Sequence, residues 1–375
     1  MTQWPTLFPR ANGLNVVQDD DVLEGEGAIG VLRLTGWPNS GKTSFIMRAI
    51  TVRPDEDSPA PIVAWSFEDG VEPYAQLYKL DVHSMVQHTD HKKAIKEMKA
   101  QIEDIEPGQY AAALIDPAED WEDWMTEYIM ANPREFGVSA GQLVKDDRPS
   151  YLFWGVLKNA EKAMLKDLLA RVEIVVVVNH LGQRFRGNQP VKGQFDPKGK
   201  KSLEQMATIT AYLIREPGER PPVGYITKSR LEVADWSERD KYGAPKKSRQ
   251  LLPTFMPEFT PNAIRYWLEN PNEALNRPQE NPPSLWNLLN SPEEIAQIQE
   301  DTVRQQLRLE EQRQNAQLKA DGARLKKEMV DDGPYESVEE LRAMGELLKA
   351  EDVTLANTAY DVYKSIMLER KEKGE

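Results

Sequence analysis

The stretch TGWPNSGKTS, Thr35–Ser44, follows the apolar run AIGVLRL and leads into FIMRAI. It has the form of a glycine, four residues, and then Gly41, Lys42 and Thr43, which is the pattern of a phosphate-binding P-loop. Glycines let backbone N–H groups approach phosphate oxygens, and a helix that follows the loop points its positive end at the same anion. The stretch therefore predicts an α/β fold built around a nucleotide site.

Within this loop, Lys42 is expected to reach the β- and γ-phosphates, and Thr43 is expected to hold Mg²⁺. A helix is predicted over residues 43–50. No Asn-Lys-x-Asp sequence follows a strand, so GTP is disfavoured and the expected cofactors are ATP and Mg²⁺. The residues predicted to surround the nucleotide are Gly36, Pro38, Asn39, Ser40, Gly41, Lys42, Thr43 and Ser44.

Two carboxylates follow apolar runs and are candidates for the rest of the site. Asp116 ends YAAALID and is the predicted second ligand of Mg²⁺, beside Thr43. Glu68 directly follows the predicted strand PIVAWSF, and a glutamate at this place resembles the catalytic carboxylate of RecA-like ATPases. In AAA+ ring ATPases an acidic residue directly follows the aspartate, but Pro117 occupies that position here. Glu119 remains the alternative base.

The apolar run EIVVVV predicts a central strand that is buried on both faces and ends at His180. In RecA-like proteins this strand often ends in a polar residue that senses the γ-phosphate and precedes a DNA-contacting loop. Here the residues after His180 contain Gly and Pro, predicting a mobile loop, and Phe185 and Phe195 are candidates for base stacking. Its cations, six against the single Asp196, are the predicted DNA contacts Arg184, Arg186, Lys192, Lys198, Lys200 and Lys201.

The run VGYITKSRLE predicts a strand that carries Lys228 and Arg230. This pair resembles the element that RecA-like ring and filament ATPases insert into the nucleotide site of a neighbouring subunit. Cations suit that role because the transition state of phosphoryl transfer spreads negative charge over the γ-phosphoryl oxygens. The resemblance implies self-association, as a ring or a filament.

The resemblance covers about residues 28–267 and is closest to phage and prophage RecA-like AAA-type ATPases of recombination and single-strand annealing. The stretch FWGVLKNAEKAMLKDLLARVEIVVVVNH looks like theirs. It implies a RecA-like P-loop core, a mainly parallel sheet between helices. Residues 1–27 are interpreted as an N-terminal arm, 268–290 as a Pro/Asn-rich linker and 291–375 as a helical C-terminal extension.

Composition narrows the function classes. The chain has no cysteine, which excludes disulfide scaffolds and thiolate metal sites. Its net charge of −14 disfavours a protein that coats duplex DNA with its whole surface. MTQWPTLFPRANG lacks a signal-peptide core and no run approaches membrane-spanning length, so we expect a cytoplasmic protein of a bacterial or phage-infected cell without membrane contact.

These patterns predict an Mg²⁺-dependent ATPase that oligomerises and binds single-stranded DNA, in phage-type recombination or annealing. A DNA helicase or helicase loader is the alternative motor. A nucleotide-switched scaffold is the alternative of another class, in which the C-terminal helices bind a protein partner and the basic loop is incidental. Stimulation of ATP hydrolysis by single-stranded DNA separates both motors from the scaffold.

Overall fold

The structure is a computed structural model. It describes residues 7–8, 14–16, 27–48, 61–78, 80–145, 148–187, 189–215, 221–243, 245–278 and 281–331. Most of the predicted N-terminal arm and the end of the predicted C-terminal extension lie outside these residues. The described residues up to Ser291 belong to one compact unit and those from Pro292 to another.

The strands of the first unit account for every apolar run singled out in the sequence. In chain order they are β1 (Leu14–Val16), β2 (Val31–Gly36), β3 (Ile62–Ser66), β4 (Asp81–Ser84), β5 (Ala112–Asp116), β6 (Val144–Lys145), β7 (Arg148–Pro149), β8 (Ile174–Arg186), β9 (Gln189–Pro197), β10 (Ile209–Ile214), β11 (Val223–Ser229), β12 (Leu231–Arg239), β13 (Pro245–Gln250) and β14 (Phe255–Met256).

The helices follow the segments of helical period between these strands. They are α1 (Lys42–Met47), α2 (Glu72–Tyr78), α3 (His91–Asp104), α4 (Ala118–Ala131), a 3₁₀ helix (Pro133–Phe136), α5 (Ala140–Leu143), α6 (Tyr151–Leu169), α7 (Lys201–Met206), α8 (Pro261–Glu269), α9 (Pro271–Asn276), α10 (Leu285–Leu289) and, in the second unit, α11 (Pro292–Asp331). The helix predicted over residues 43–50 is thus α1, and residues 49–50 lie outside the described part.

The central sheet has the strand order β14, β11, β10, β2, β8, β5, β3, β4. The strands from β10 to β4 are all parallel, whereas β11 and β14 continue the sheet antiparallel. The predicted α/β fold, a mainly parallel sheet between helices with a helical C-terminal extension, is confirmed. Two further antiparallel sheets, β1–β12–β13 and β6–β7, lie off the central one.

Side chains that alternate along each central strand form one apolar core on each face of the sheet. Val175 and Val177 of β8 belong to the core that includes side chains of α3, α4 and α6, and Val176 and Val178 belong to the opposite core. All four valines are fully buried, and β8 lies between β2 and β5. The predicted central position, buried on both faces, is therefore confirmed, but the strand continues to Arg186 instead of ending at His180. Each buried valine contributes roughly 1.5–3 kcal/mol relative to an exposed one.

The segment predicted as a linker, residues 268–290, differs from that prediction. Its start falls inside α8, and it contains α9 and α10. The guanidinium group of Arg277 donates to the carbonyl oxygens of Gln250 (3.1 Å) and Leu251 (3.0 Å). Asn290 donates to the carbonyl oxygen of Gly193 (3.1 Å). These contacts attach the described part of the segment to the first unit. The division into domains otherwise stays a prediction.

The second unit, in the residues described, is the single helix α11. The many strong helix formers in its sequence predicted a helix here. Its described side chains are largely exposed, including Val303, Leu307 and Leu309. No helix among the described residues is long and apolar enough to cross a membrane.

Candidate active site

The P-loop joins β2 to α1 through a backbone that only certain residues allow. Gly41 has φ 91° and Asn39 has φ 63°, both in the left-handed region that Gly and Asn tolerate best. A Cβ atom at Gly36 would overlap the hydroxyl of Ser40 and the carbonyl oxygen of Leu213. The glycines at the two ends of the motif are therefore required by geometry, and the loop closes tightly over the end of the sheet.

Lys42 is almost fully buried, and its ammonium group turns back to the loop. Its Nζ donates to the carbonyl oxygens of Gly36 (3.1 Å) and Trp37 (2.9 Å). Burial lowers the pKa of Lys42, while the negative charges of Asp116, Glu119 and Glu68 oppose that shift. This cation therefore lies at the loop, in a field set by three carboxylates.

Thr43 and Asp116 meet across two elements that are 73 residues apart in sequence. The Thr43 hydroxyl donates to Oδ2 of Asp116 at 2.5 Å, and Asp116 is 2% exposed. Burial raises the pKa of Asp116 to about 6, against the opposing effects of the Thr43 hydrogen bond and the Lys42 charge. A cation beside this carboxylate would favour its ionised form.

This pair fits a magnesium ion that is shared with a nucleotide. Mg²⁺ is usually held by one or two carboxylates together with substrate phosphates and waters, and a P-loop hydroxyl and a buried carboxylate provide such a partial set. Among the described residues there is no group of three or more acidic or histidine side chains that would form an all-protein metal site. Thr43 and Asp116 are thus the residues present that would hold the ion.

His180 lies between two carboxylates, at the point where β8 passes beyond the end of β2. Its Nδ1 lies 2.9 Å from Oε1 of Glu119, and its Nε2 lies 3.3 Å from Oε1 of Glu68. The hydrogen bond with Glu119 is the main cause that raises the pKa of His180, with further contributions from the charges of both glutamates, whereas burial opposes the shift. The arrangement favours an imidazolium cation held between two anions.

Glu119 and Glu68 have different surroundings, which separates their roles. Glu119 is nearly buried and also accepts the backbone N–H of His180 (3.2 Å) and Nδ2 of Asn179 (3.1 Å). Burial raises the pKa of Glu119, but the hydrogen bonds and charge of His180 outweigh it, so the net shift is downward. The Glu68 side chain is 47% exposed. Glu119 thus holds His180 in place, whereas Glu68 has the room to contact a water.

Sheet register explains why these residues converge. Gly36 of β2 pairs with His180 of β8, and Ser66 of β3 pairs with Asp116 of β5. Carboxyl ends of parallel strands share one edge of a sheet, which is where open α/β sheets bind ligands. The structure therefore brings together Lys42, Thr43, Glu68, Asp116 and His180, as the sequence predicted.

The basic segment after His180 is a β-hairpin rather than the mobile loop that Gly and Pro predicted. Strand β9 pairs antiparallel with the outer half of β8, with Gly182 opposite Asp196 and Arg186 opposite Gln189. The turn between the strands includes Gly187, at φ 64°. Backbone pairing outweighed the local preference of Gly and Pro for irregular structure, so the cations project from a ladder. We call β8 from Leu181 onward, together with β9, the basic hairpin.

The predicted DNA contacts, in the basic hairpin and in residues 198–201 that follow it, are not equivalent. Arg184, Arg186, Lys192, Lys198 and Lys201 are exposed, and Arg184 lies 3.5 Å from the carboxylate of Asp196. Lys200 differs, because its Nζ donates to the carbonyl oxygen of Glu122 (2.9 Å) and the hydroxyl of Thr126 (2.9 Å). Its ammonium group is therefore committed to α4, which corrects its assignment to DNA.

The two aromatic side chains of the hairpin also differ. Phe185 is 60% exposed, as a base-stacking residue requires. Phe195 packs edge-on against Trp37 of the P-loop, with ring centroids 4.8 Å apart. This contact joins the hairpin to the P-loop. The ring of Phe195, which the sequence predicted to stack on bases, packs against Trp37 instead.

Lys228 and Arg230 lie at the edge of the sheet opposite the P-loop. Strand β11 is antiparallel to β10, so Ser229 pairs with Ile209, which pairs with Leu32 of β2. Leu32 is four residues before Gly36, or roughly 13 Å along a strand. The structure does not bring this pair to the nucleotide site of its own chain.

A buried polar pair beneath the site was missed in the sequence. Arg33, 2% exposed, donates through Nε to Oδ1 of Asn179 at 2.8 Å, and burial lowers the pKa of Arg33. The signal available was a single cation inside the apolar run VLRLTG, which requires a polar partner on a neighbouring strand. Which strand supplies that partner depends on the sheet order, so the sequence left it open.

Comparison with known proteins adds little to this geometry. No protein-family model matches the chain, and no curated protein matches it. Among solved structures, the crystal structure of the RadB recombinase is similar at a TM-score of 0.32 and 11% identity, over 55% of this chain and 87% of that chain. A likeness of this size carries no functional inference, so the site is interpreted from its own residues.

Proposed function

We propose that this protein is an Mg²⁺-dependent ATPase of the RecA-like type that binds single-stranded DNA. The observation that carries the proposal is the convergence of a buried P-loop lysine, a Thr43–Asp116 pair and a histidine between two glutamates at one edge of a parallel sheet. Phosphoryl transfer uses the same kinds of group. These are a lysine that binds phosphates, a hydroxyl and a carboxylate that hold a divalent cation, and an accessible carboxylate that orients the nucleophile.

Each residue of the site would have a separate role in ATP hydrolysis. The ammonium of Lys42 would leave the loop carbonyls and bind the β- and γ-phosphates, while Thr43 and Asp116 would hold the cation. When bound, Mg²⁺ neutralises charge that develops on the phosphate oxygens. Glu68 would accept a hydrogen bond from the attacking water and take its proton. His180 would contact the γ-phosphate from its position between the two glutamates.

The assignment of the base to Glu68 can be tested directly. Glu68→Gln keeps the side-chain shape but removes the carboxylate, so ATP should still bind while turnover falls by about 10² or more. The measurement is phosphate release at saturating ATP, with binding of a fluorescent nucleotide as the second readout.

Glu119→Gln is the matched change. It removes a carboxylate from the other side of His180 and is expected to lower the imidazole pKa, observable by NMR titration of His180. If Glu119→Gln abolishes turnover while Glu68→Gln does not, the base is Glu119 and the assignment to Glu68 is wrong.

The basic hairpin is the proposed contact with single-stranded DNA. Arg186 and Lys192 are exposed on its two strands, Lys198 is exposed directly after β9, and the exposed ring of Phe185 would stack on a base. Replacing Arg186, Lys192 and Lys198 by Ala should weaken binding of an oligonucleotide and flatten its salt dependence by about 0.7 log unit per lost phosphate contact. The measurement is fluorescence anisotropy over a series of salt concentrations.

Lys200→Ala serves as the control for this experiment, because its ammonium group is bound to α4. It should lower the stability of the protein with little change in the salt slope. A triple variant with the wild-type salt slope would mean that the hairpin is only a solvated surface.

Self-association and biological role complete the proposal. Lys228 and Arg230 would complete the nucleotide site of a neighbouring copy in a ring or filament, and the role would be phage-type recombination or annealing in the cytoplasm. The C-terminal helices would bind a protein partner. ATP turnover measured with and without single-stranded DNA tests the central claim. A nucleotide-switched scaffold would show no stimulation of turnover by DNA, and a helicase would in addition displace a DNA strand.

A further inference from the structure

Two carboxyl groups that the proposed chemistry does not use lie buried beneath the segment that joins the basic hairpin to α7. Glu122 of α4 and Glu161 of α6 are both fully buried. One oxygen of each accepts a hydrogen bond: Glu122 Oε2 from the backbone N–H of Lys200 in this segment (2.7 Å), and Glu161 Oε2 from the hydroxyl of Ser202 in the first turn of α7 (2.6 Å). The pair therefore holds the chain where the hairpin ends.

The fit between the segment and the carboxyl groups is close. A Cβ atom at Gly199, where φ is 90°, would overlap Oε2 of Glu122. Nδ2 of Asn179 donates to the carbonyl oxygen of Lys198 (3.0 Å), and the N–H of Lys198 donates to the carbonyl oxygen of His180 (2.8 Å). The end of the hairpin is thus attached to α4 and to the strand that carries His180.

Helix α7 leads from this attachment to the opposite edge of the sheet. Its last turn presents carbonyl oxygens to the two cations assigned to a neighbouring subunit. Lys228 Nζ donates to the carbonyl oxygens of Glu204 and Gln205, and Arg230 Nη2 donates to that of Gln205 (3.5 Å). A displacement of α7 therefore changes the surroundings of both cations.

We propose that Glu122 and Glu161 are positioning residues, which set the place of the hairpin–α7 junction and, through α7, the place of Lys228 and Arg230. An effect of the pair on catalysis rests on the proposed function, whereas the positioning of the junction rests on the contacts alone. The remaining Oε1 atom of each glutamate is buried without a hydrogen-bond partner in the described part of the chain. Two buried carboxyl groups that repel each other when ionised are more stable when they are protonated and uncharged.

Protonation supports this role. Burial, with the charge of Glu161 as the next cause, raises the pKa of Glu122 to about 8, and burial raises the pKa of Glu161 to about 7. Because the folded pKa values exceed the ordinary glutamate value of 4.5, the stabilisation is complete below that pH and is lost progressively as the pH rises from there through about 7 to 8. The charged groups that act on the pair from the surrounding elements are Arg33 of β2, on Glu122, and Lys200 of the junction, on both; Glu119 and Glu204 in turn act on Arg33.

The test measures amide hydrogen exchange in the wild-type protein and in Glu122→Gln/Glu161→Gln, which carries uncharged groups of the same shape at every pH. In the wild type, the protection factors of residues 198–206 and 228–230 should fall by about tenfold or more between pH 6 and pH 9, because each pH unit between the ordinary and the folded pKa of one glutamate changes the closed-to-open ratio by up to about tenfold. In the double variant they should stay constant. The single variant Glu161→Gln, with an intermediate response, replaces the double variant if that protein does not fold.

Asp167→Asn is the matched control, because it removes an exposed carboxylate from the same helix as Glu161. It should respond to pH as the wild type does. The proposal is overturned if wild-type protection does not depend on pH, if the double variant responds equally, or if only residues 198–206 respond and 228–230 do not.

Enzyme kinetics provide the second arm. Turnover number should fall over the same pH range in the wild type, with nucleotide affinity unchanged, and this fall should disappear in the double variant. If the wild type hydrolyses no ATP at any pH, the proposed function fails, while the exchange result still decides whether the pair positions the junction.

Discussion

Lys42→Ala is expected to lower ATP turnover by about 10²–10³ or more, the loss seen when one main stabilising donor is removed from a preorganised site. The ammonium of Lys42 lies buried within the P-loop, held by two loop carbonyls at 3.1 and 2.9 Å. The alanine side chain of the variant has no positive charge with which to bind the phosphates. The measurement is phosphate release at saturating ATP and Mg²⁺ from the purified variant.

The control is Lys166→Ala, which removes an exposed cation from α6. It should turn over ATP at the wild-type rate. A thermal melt of Lys42→Ala establishes that the protein is folded, so that lost turnover reports on chemistry. Turnover in a folded Lys42→Ala protein equal to that of the wild type would remove the proposed ATPase function.

Arg230→Ala is expected to reduce turnover by roughly 10³–10⁵, as for cations supplied to a phosphoryl-transfer site in trans. Ser229, next to it, pairs through β10 with the start of β2, whereas the P-loop follows the end of that strand. In the proposed function, Arg230 would therefore contribute to a nucleotide site only across a subunit boundary. Nucleotide binding, measured by equilibrium titration, should remain close to the wild-type value.

Mixing two inactive variants tests the same geometry. Arg230→Ala has an intact P-loop, and Lys42→Ala has an intact Arg230, so a mixed assembly contains some interfaces with one good copy of each. Activity should reappear on mixing. Co-assembly of the two variants without recovery of turnover would show that Arg230 does not act in trans.

The P-loop could be predicted from sequence because its chemistry is local. Gly36, Gly41, Lys42 and Thr43 lie within eight residues of one another, from the end of β2 to the start of α1, and their expected roles follow from spacing alone. Period and composition likewise predicted β8 as a central strand, since a run of valines is stable only where both faces are covered. The strand-ending residues Glu68, Asp116 and His180 were found by the same reasoning.

The hairpin shows where local reasoning failed. Gly and Pro favour irregular structure, but β8 continues beyond His180 to Arg186 and gives β9 a partner. Lys200 was counted among the DNA contacts because its sequence neighbours are basic. Its actual partners on α4 are more than 70 residues away in sequence, which no spacing rule connects.

By itself, the sequence determined the α/β class, the phosphate loop and the residues at the ends of three strands, because hydrophobic period and glycine geometry act over a few residues. Only the tertiary structure decided which of these residues meet, that His180 lies between Glu68 and Glu119, that Glu122 and Glu161 lie under the hairpin–α7 junction, and that Arg230 faces away from its own P-loop. The physical reason is that strand order and register set these distances, and both result from packing the whole sheet between its two apolar cores.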